Sequence, residues 1–221
     1  MKRNRLLART LCLLTLIATI YPFGCKQREL KWGADKDDIR DLPAIVIRER
    51  KIKADSKVKV QILQPSSSNT IRAIQTGEAD VSYVEAPACL KAMANKEVDV
   101  EILAVTSRDK SGKPDRLLVA RRGWLNEFPK GAAIVLSTHR DAVRFLQDDR
   151  SEAIALVSKW MGTGSLLENE KILSETRWES GLDIADLIDL LDGLRRSGAI
   201  TGADADNLAQ QLLKKQPPEG Q

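Results

Sequence analysis

The feature that most constrains this chain is the alternation of short strand-patterned and helix-patterned segments over its first half. Glu29 to Gly33 reads as a short strand, and "PAIVIRERK" follows as a helix whose Pro43 suits a first turn, where no N–H is needed. "KVKVQIL" alternates polar and apolar residues around β-branched Val58 and Val60, which predicts a second strand. "QPSSSN" breaks it, and "NTIRAIQTG" then offers one apolar helical face through Ile71 and Ile74 with Gly77 as the stop. "ADVSYV", "EAPACLKAMANK" and "VDVEILAVTS" continue as strand, helix and strand. The polar turn "SRDKSGKPD" leads to a further strand, "RLLVARRGW". Alternation of this kind predicts the α/β class, a mostly parallel sheet with flanking helices.

From Pro129 the pattern is helical only. "FPKGAAIVLSTHRDAVRFLQDD" spaces Val135, Ala142, Val143 and Leu146 along one face, and "RSEAIALVSKWMG" repeats the habit. "SGLDIADLIDLLDGLRRSGAIT" carries Leu182, Leu187, Leu190, Leu191 and Leu194 before Gly198, an amphipathic helix with a glycine stop. The expected organisation is a leader over 1–24, an α/β lobe over 25–128, a helical segment packing on it over 129–215, and a disordered tail over 216–221.

Lys2, Arg3, Arg5 and Arg9 precede an uncharged stretch from Thr10 to Cys25, which is short for a spanning helix of about 20 residues and reads as an export signal. Without the leader the chain holds 31 basic and 31 acidic side chains, so the basic balance belongs to the leader and a nucleic-acid partner is not expected. Gly24 before Cys25 suits lipoprotein processing, whereas Pro22 and Phe23 fit it poorly; lipid attachment at Cys25 and ordinary cleavage or an uncleaved anchor stay open. Beyond the leader only Cys25 and Cys89 remain, which is no disulfide framework. The lone His139 in a helical run predicts a surface or packing role, and with no second His or paired Cys no metal site and no cofactor is expected.

"LKWGADKDDIRDLPAIVIRERKI", "VQILQPSSSNTIRAIQTGEADVSYVEAPACLKA" and "VEILAVTS" resemble the first lobe of substrate-binding proteins of ABC importers, in the nitrate, sulfonate and taurine group. "RRGWLNEFPKGAAIVLSTHRDAVRFLQDDRSEAIALVSKWMG" is similar to the late segment of that family. The resemblance implies a periplasmic-binding-protein-like lobe, a small-molecule solute, an ABC permease as partner, a membrane association through the possible lipid anchor, and no catalysis. Family members build a second lobe between strands like "EILAVT" and "RLLVARRGW"; here only "SRDKSGKPD" separates the two, so most of that lobe is expected to be missing.

In such sheets the loops at the carboxyl ends of the strands form the ligand crevice, and helix starts facing it favour anions. Ser66, Ser67, Ser68 and Asn69 stand at one helix start and Glu85 at another, with Trp32 and Asp35 at and just past the end of the first strand. These seven are the candidate ligand residues, although helix capping alone also accounts for the Ser and Asn run. Glu85 departs from an anion-binding crevice because an acid there repels a nitrate or sulfonate. Two readings therefore stand: a weak or degenerate solute binder, and an exported scaffold or protein-interaction module that has lost solute capture. No set of nucleophile, base and orienting group supports an enzyme.

Overall fold

β1 (Arg28–Gly33) turns Leu30 and Trp32 to one side, both fully buried, and the sheet is assembled around it. The computed structural model describes residues 28–35, 37–52, 58–64, 70–161 and 165–213. Cys25, the run from Ser66 to Asn69 and the expected tail lie outside the described residues. β1 pairs in parallel with β2 (Val58–Leu63) from Arg28↔Val58 to Gly33↔Leu63, and on its other side with β3 (Val81–Glu85) through Trp32↔Val81 and Gly33↔Ser82. The second contact needs glycine: a Cβ at Gly33 would stand 2.7 Å from the Ser82 Oγ, which instead donates to the Gly33 carbonyl at 3.1 Å.

β4 (Val100–Arg108) and β5 (Pro114–Arg121) form an antiparallel hairpin, β5 pairs antiparallel with β3, and β6 (Trp178–Gly181) pairs antiparallel with β4. The order is β2-β1-β3-β5-β4-β6. The α/β class and the flanking helices are those expected, but the sheet is mixed, parallel only across β2, β1 and β3. The reason is the connection between β4 and β5: Asp109 to Lys113 is a turn, and a turn can join only antiparallel neighbours, whereas a parallel pair needs a crossover of a dozen or more residues.

Helices cover both faces. α1 (Leu42–Glu49) follows a 3-10 turn, Ile39–Asp41, and packs with α5 (Gly131–Asp148) and α6 (Arg150–Met161) over Leu30, Trp32, Tyr83 and Leu118. α2 (Thr70–Gln75) and α3 (Ala86–Ala94) pack with α8 (Ile184–Arg196) and α9 (Gly202–Leu213) over Val84, Val105, Leu117 and Val119 on the opposite face. Neighbouring residues such as Tyr83 and Val84, or Leu117 and Leu118, thus enter different cores, as the period of two in a strand requires. Gly77 and Gly198 end α2 and α8 at φ 73° and 74°, the left-handed conformation that suits a helix stop.

Three expectations are corrected. The strand in "RLLVARRGW" stops at Arg121, and Arg122 opens α4 (Arg122–Glu127), whose Trp124 turns into the core. The stretch after Pro129 is not helical throughout: after α7 (Leu166–Glu175), "WESG" is the edge strand β6. Leu182 lies ahead of α8 rather than on its apolar face, and it is exposed.

β6 is short, and a buried histidine secures it. His139 is fully buried on α5, on the same face as Val135, Ala142, Val143 and Leu146. Its Nε2 lies 2.7 Å from the Glu179 carbonyl oxygen of β6, which can only accept, so Nε2 carries the proton and Nδ1 accepts from the Tyr83 hydroxyl at 2.9 Å. One imidazole thereby links α5, β3 and β6. Burial holds its pKa down, to about 4, with the Glu179 bond opposing and the Arg140 charge adding to the shift.

A second buried polar link crosses the sheet's carboxyl end. Arg116 shares the parity of Leu118 and points to the α1 side, where its Nε and Nη2 donate to Asp41 Oδ1 and Oδ2 at 2.9 and 2.5 Å. Asp41 Oδ2 also accepts from the Asp35 amide at 2.7 Å, and Asp38 stands 3.5 Å from Arg116 Nη1. Both Asp41 and Arg116 are out of contact with solvent. Burial pushes the Asp41 pKa up to about 7, with the Arg116 charge and hydrogen bonds opposing, so loss of the arginine would leave the burial penalty unopposed.

Two measurements test these links. His139 is neutral in the folded protein down to about pH 4 but titrates at its ordinary 6.5 when unfolded. Its contribution is complete above pH 6.5 and is lost as pH falls toward 4, by about 3 kcal/mol across that window. In denaturant melts from pH 7 to 4 the native protein should lose about 3 kcal/mol more than His139→Gln does; the difference between the two isolates the imidazole, because Asp41, with its raised pKa, titrates in the same window with the opposite sign. Arg116→Met should lower stability at pH 7 by about 3 kcal/mol, and adding Asp41→Asn should restore about half of the loss, since an amide keeps an acceptor for the Asp35 N–H without a buried charge. A double variant no more stable than Arg116→Met would show that the charge is not what the arginine compensates.

Candidate functional site

β1 has β2 on one side and β3 on the other, so the chain leaves its carboxyl end toward one neighbour and returns on the far side. The loops after β1 and β3 therefore part at this point, which is where an open α/β sheet forms its crevice. Ala34 and Asp35 follow the end of β1, and Glu85 stands at the start of α3. β5 enters the same end from the opposite direction, placing Arg116 beside Glu85 in register.

The candidate residues divide sharply. Trp32 is a core residue: it is fully buried, its ring lies 5.6 Å from that of Tyr83, and it presents no face to a ligand. Asp35 is turned inward, with its carboxylate accepting from the Asp37 amide at 2.9 Å and its own amide bound to Asp41. Glu85 is exposed at the N-terminus of α3 and makes no capping bond with its side chain. Ser66, Ser67, Ser68 and Asn69 lie outside the described residues, as does Cys25.

The groups that dominate the electrostatics of this end are ones the sequence analysis did not single out. Arg40 bonds Asp38 through Nε at 2.8 Å and Asp115 through Nη1 at 2.5 Å, extending the Asp41–Arg116 pair into a network of three carboxylates and two guanidiniums. Asp38 is held below the usual carboxylate range: burial works against ionisation, but the Arg40 hydrogen bonds and the Arg116 charge outweigh it. The signal was present in the acid density of "DKDDIRD" and in an arginine opening the apolar run "RLLVA", since a charge in a central strand requires a partner.

This arrangement holds charge in place through paired side chains. Among the described residues, Arg40 and Arg116 at this end are bonded to the chain's own carboxylates, so an anion approaching Arg116 would have to displace Asp41 or Asp38. Among the described residues no group of three His, Cys, Asp or Glu side chains could hold a metal ion. No described helix is long and apolar enough to cross a membrane. Cys89 is buried beside Met93, with burial pushing its thiol up to about 12, so it is no nucleophile at neutral pH.

A cleft of about 630 Å³ opens at the same end of the sheet but on the β6 side, between the β4–β5 turn and the junction of α7 with β6. A second, of about 550 Å³, adjoins it across Arg177 and reaches Leu146 and Trp178.

No protein-family model and no curated sequence relative matches the chain. Solved structures match it in fold. The Candida albicans CA3427 gene product, described as defining a new family with the generic periplasmic binding protein structural fold, superposes with a TM-score of 0.70 at 8% identity, over 85% of this chain and 94% of that one. The periplasmic aliphatic sulphonate binding protein SsuA from Escherichia coli gives 0.64 at 11% identity, over 78% and 88%. The alkanesulfonate-binding protein SsuA from Xanthomonas axonopodis pv. citri, bound to MOPS, gives 0.61 at 10% identity, over 80% and 97%. The chain has the periplasmic-binding-protein fold.

Proposed function

We propose that this chain is an exported, non-catalytic solute-binding-type component of an ABC import system, of the nitrate, sulfonate and taurine kind, whose capture of solute is weak or degenerate. One observation carries the reading: at the switch point of a binding-protein fold, the buried cation Arg116 is already neutralised by Asp41 and Asp38. Two of the structural likenesses bind sulfonates, which supports the solute class. In this reading the run from Ser66 to Asn69 and the exposed Glu85 flank the solute, the permease is the partner, and Cys25 is the site of a lipid anchor.

Enclosure is the missing ingredient. A single lobe leaves one side of a bound molecule in water, so polar contacts stay in high dielectric and hinge closure has no second body to move. Affinity for a small solute should be about 10 µM or weaker, since 1 µM already requires about 8.2 kcal/mol. Titration calorimetry with nitrate, taurine and alkanesulfonates measures it. A nanomolar affinity would overturn weak capture, and the absence of any saturable heat from all three would favour the protein-interaction module instead. Export is tested separately: Cys25 should be the first residue of the mature protein in membrane fractions, and Cys25→Ser should lose the acyl mass and membrane retention.

A further inference from the structure

The 630 Å³ cleft beside the β4–β5 turn is distinct from the switch point and lies within the size range of small-ligand sites, about 300–1,000 Å³. Its lining contains three cations, Arg108, Lys110 and Arg177, and three carboxylates, Asp109, Glu175 and Glu179. Formal charge is balanced, but the commitments are not. Asp109 is consumed by its own turn, accepting from the Ser111 amide at 2.8 Å, the Ser111 hydroxyl at 2.7 Å and the Lys113 amide at 3.0 Å. Those bonds hold its carboxyl below the usual range, the Ser111 hydroxyl contributing most. Glu179 receives the Arg108 Nε at 2.9 and 3.0 Å, and Arg108 Nη1 reaches Asp186 at 2.5 Å. Glu175 stands 4.0 Å from Lys171. Asp109 and Glu179 are thus committed and Glu175 has only the distant Lys171, while Lys110 and Arg177 have no anionic partner among the described residues.

The walls are also fixed before any ligand arrives. Gly112, at φ 85°, closes the turn, and Arg108 Nη1 donates to its carbonyl at 2.9 Å. On the other side β6 is pinned through the Glu179 carbonyl to buried His139. Two uncommitted cations on opposite, pre-formed walls of a cleft attract an anion at little cost in side-chain ordering elsewhere.

We propose that this cleft binds a small solute through an oxyanion group, a carboxylate, sulfonate or phosphate, held between Lys110 and Arg177. The site does not depend on the switch point being functional, and its residues lie at the opposite side of the sheet's carboxyl end.

The experiment is an amide NMR titration of the purified protein at low ionic strength with succinate, methanesulfonate and inorganic phosphate as separate probes. At least one probe should give saturable shifts centred on residues 108–112 and 174–179, with a Kd below about 10 mM. Lys110→Ala and Arg177→Ala should each weaken it by at least about threefold and the double variant by about tenfold or more. Lys113→Ala, on the same turn but off the cleft wall, should weaken it clearly less than either. All three side chains are on the surface, so these variants keep the fold. No saturable shift with any probe would overturn the proposal, as would an equal loss in Lys113→Ala, which marks bulk charge attraction. Shifts centred instead on residues 34–41 and 85–87 would overturn it while supporting the switch-point solute reading, so the two fail separately.

Discussion

Arg116 and Asp41 are the pair on which the carboxyl end of the sheet depends. An arginine in a central strand, closed off from solvent, needs partners for its donors, and Asp41 accepts two hydrogen bonds from it in a forked geometry. The pair joins β5 to the loop after β1, two segments far apart in sequence that no backbone ladder connects, because β3 lies between them. It also explains why Asp41, the residue before α1, gives no side-chain cap to that helix: its oxygens are taken by Arg116 and by the Asp35 amide. The cap is forgone, and the Asp35 turn is fixed in exchange.

The hairpin between β4 and β5 sets the other half of the architecture. Reversing the chain there makes β5 antiparallel to both neighbours and leaves the outer edge of β4 open. An unpaired edge is a template for unwanted association, and β6 covers it with four residues. So short a strand has few ladder bonds, and its side contacts matter correspondingly: the His139 link to Glu179, the Arg108 pair with the same residue, and Trp178 in the core. The tie that secures the edge also shapes the cleft beside it.

The parallel half of the sheet was legible because its strands and helices each carry their own signal. "KVKVQIL" alternates, "ADVSYV" carries β-branched Val81 and Val84 with Tyr83, and Gly77 marks a helix stop that the backbone adopts at positive φ. β6 was not legible, since "WESG" has neither alternation nor an apolar run and becomes a strand only because β4 offers an edge. Trp32 was open in the sequence for a related reason: the residue closing a strand can face the crevice or the core, and the parity shared with Leu30 decides for the core. His139 could have been placed better, because it falls on the face of Val135, Ala142, Val143 and Leu146 that the periodicity already marked as buried. Pairing between Asp41 and Arg116 is a tertiary fact that neither local pattern contains.

Where the cations stand and what already holds them separates the two ends of this surface. For an anion to bind Arg116 it must take the place of Asp41, and the displaced carboxylate has no route to water from a fully buried position. Removing one partner from a buried pair costs about 3–5 kcal/mol, a large share of the roughly 8 kcal/mol that micromolar binding supplies. A neutral solute escapes this competition but gains nothing from the guanidinium. Lys110 and Arg177 impose no such exchange, since their present partner is solvent and an arriving oxyanion displaces only water. Their weakness is of the opposite kind: exposed charges attract through high dielectric and are screened within about 8 Å at physiological ionic strength. The crevice inherited with the fold is therefore closed by strong bonds, and the cleft made by the hairpin is open but holds its ligand by weak ones.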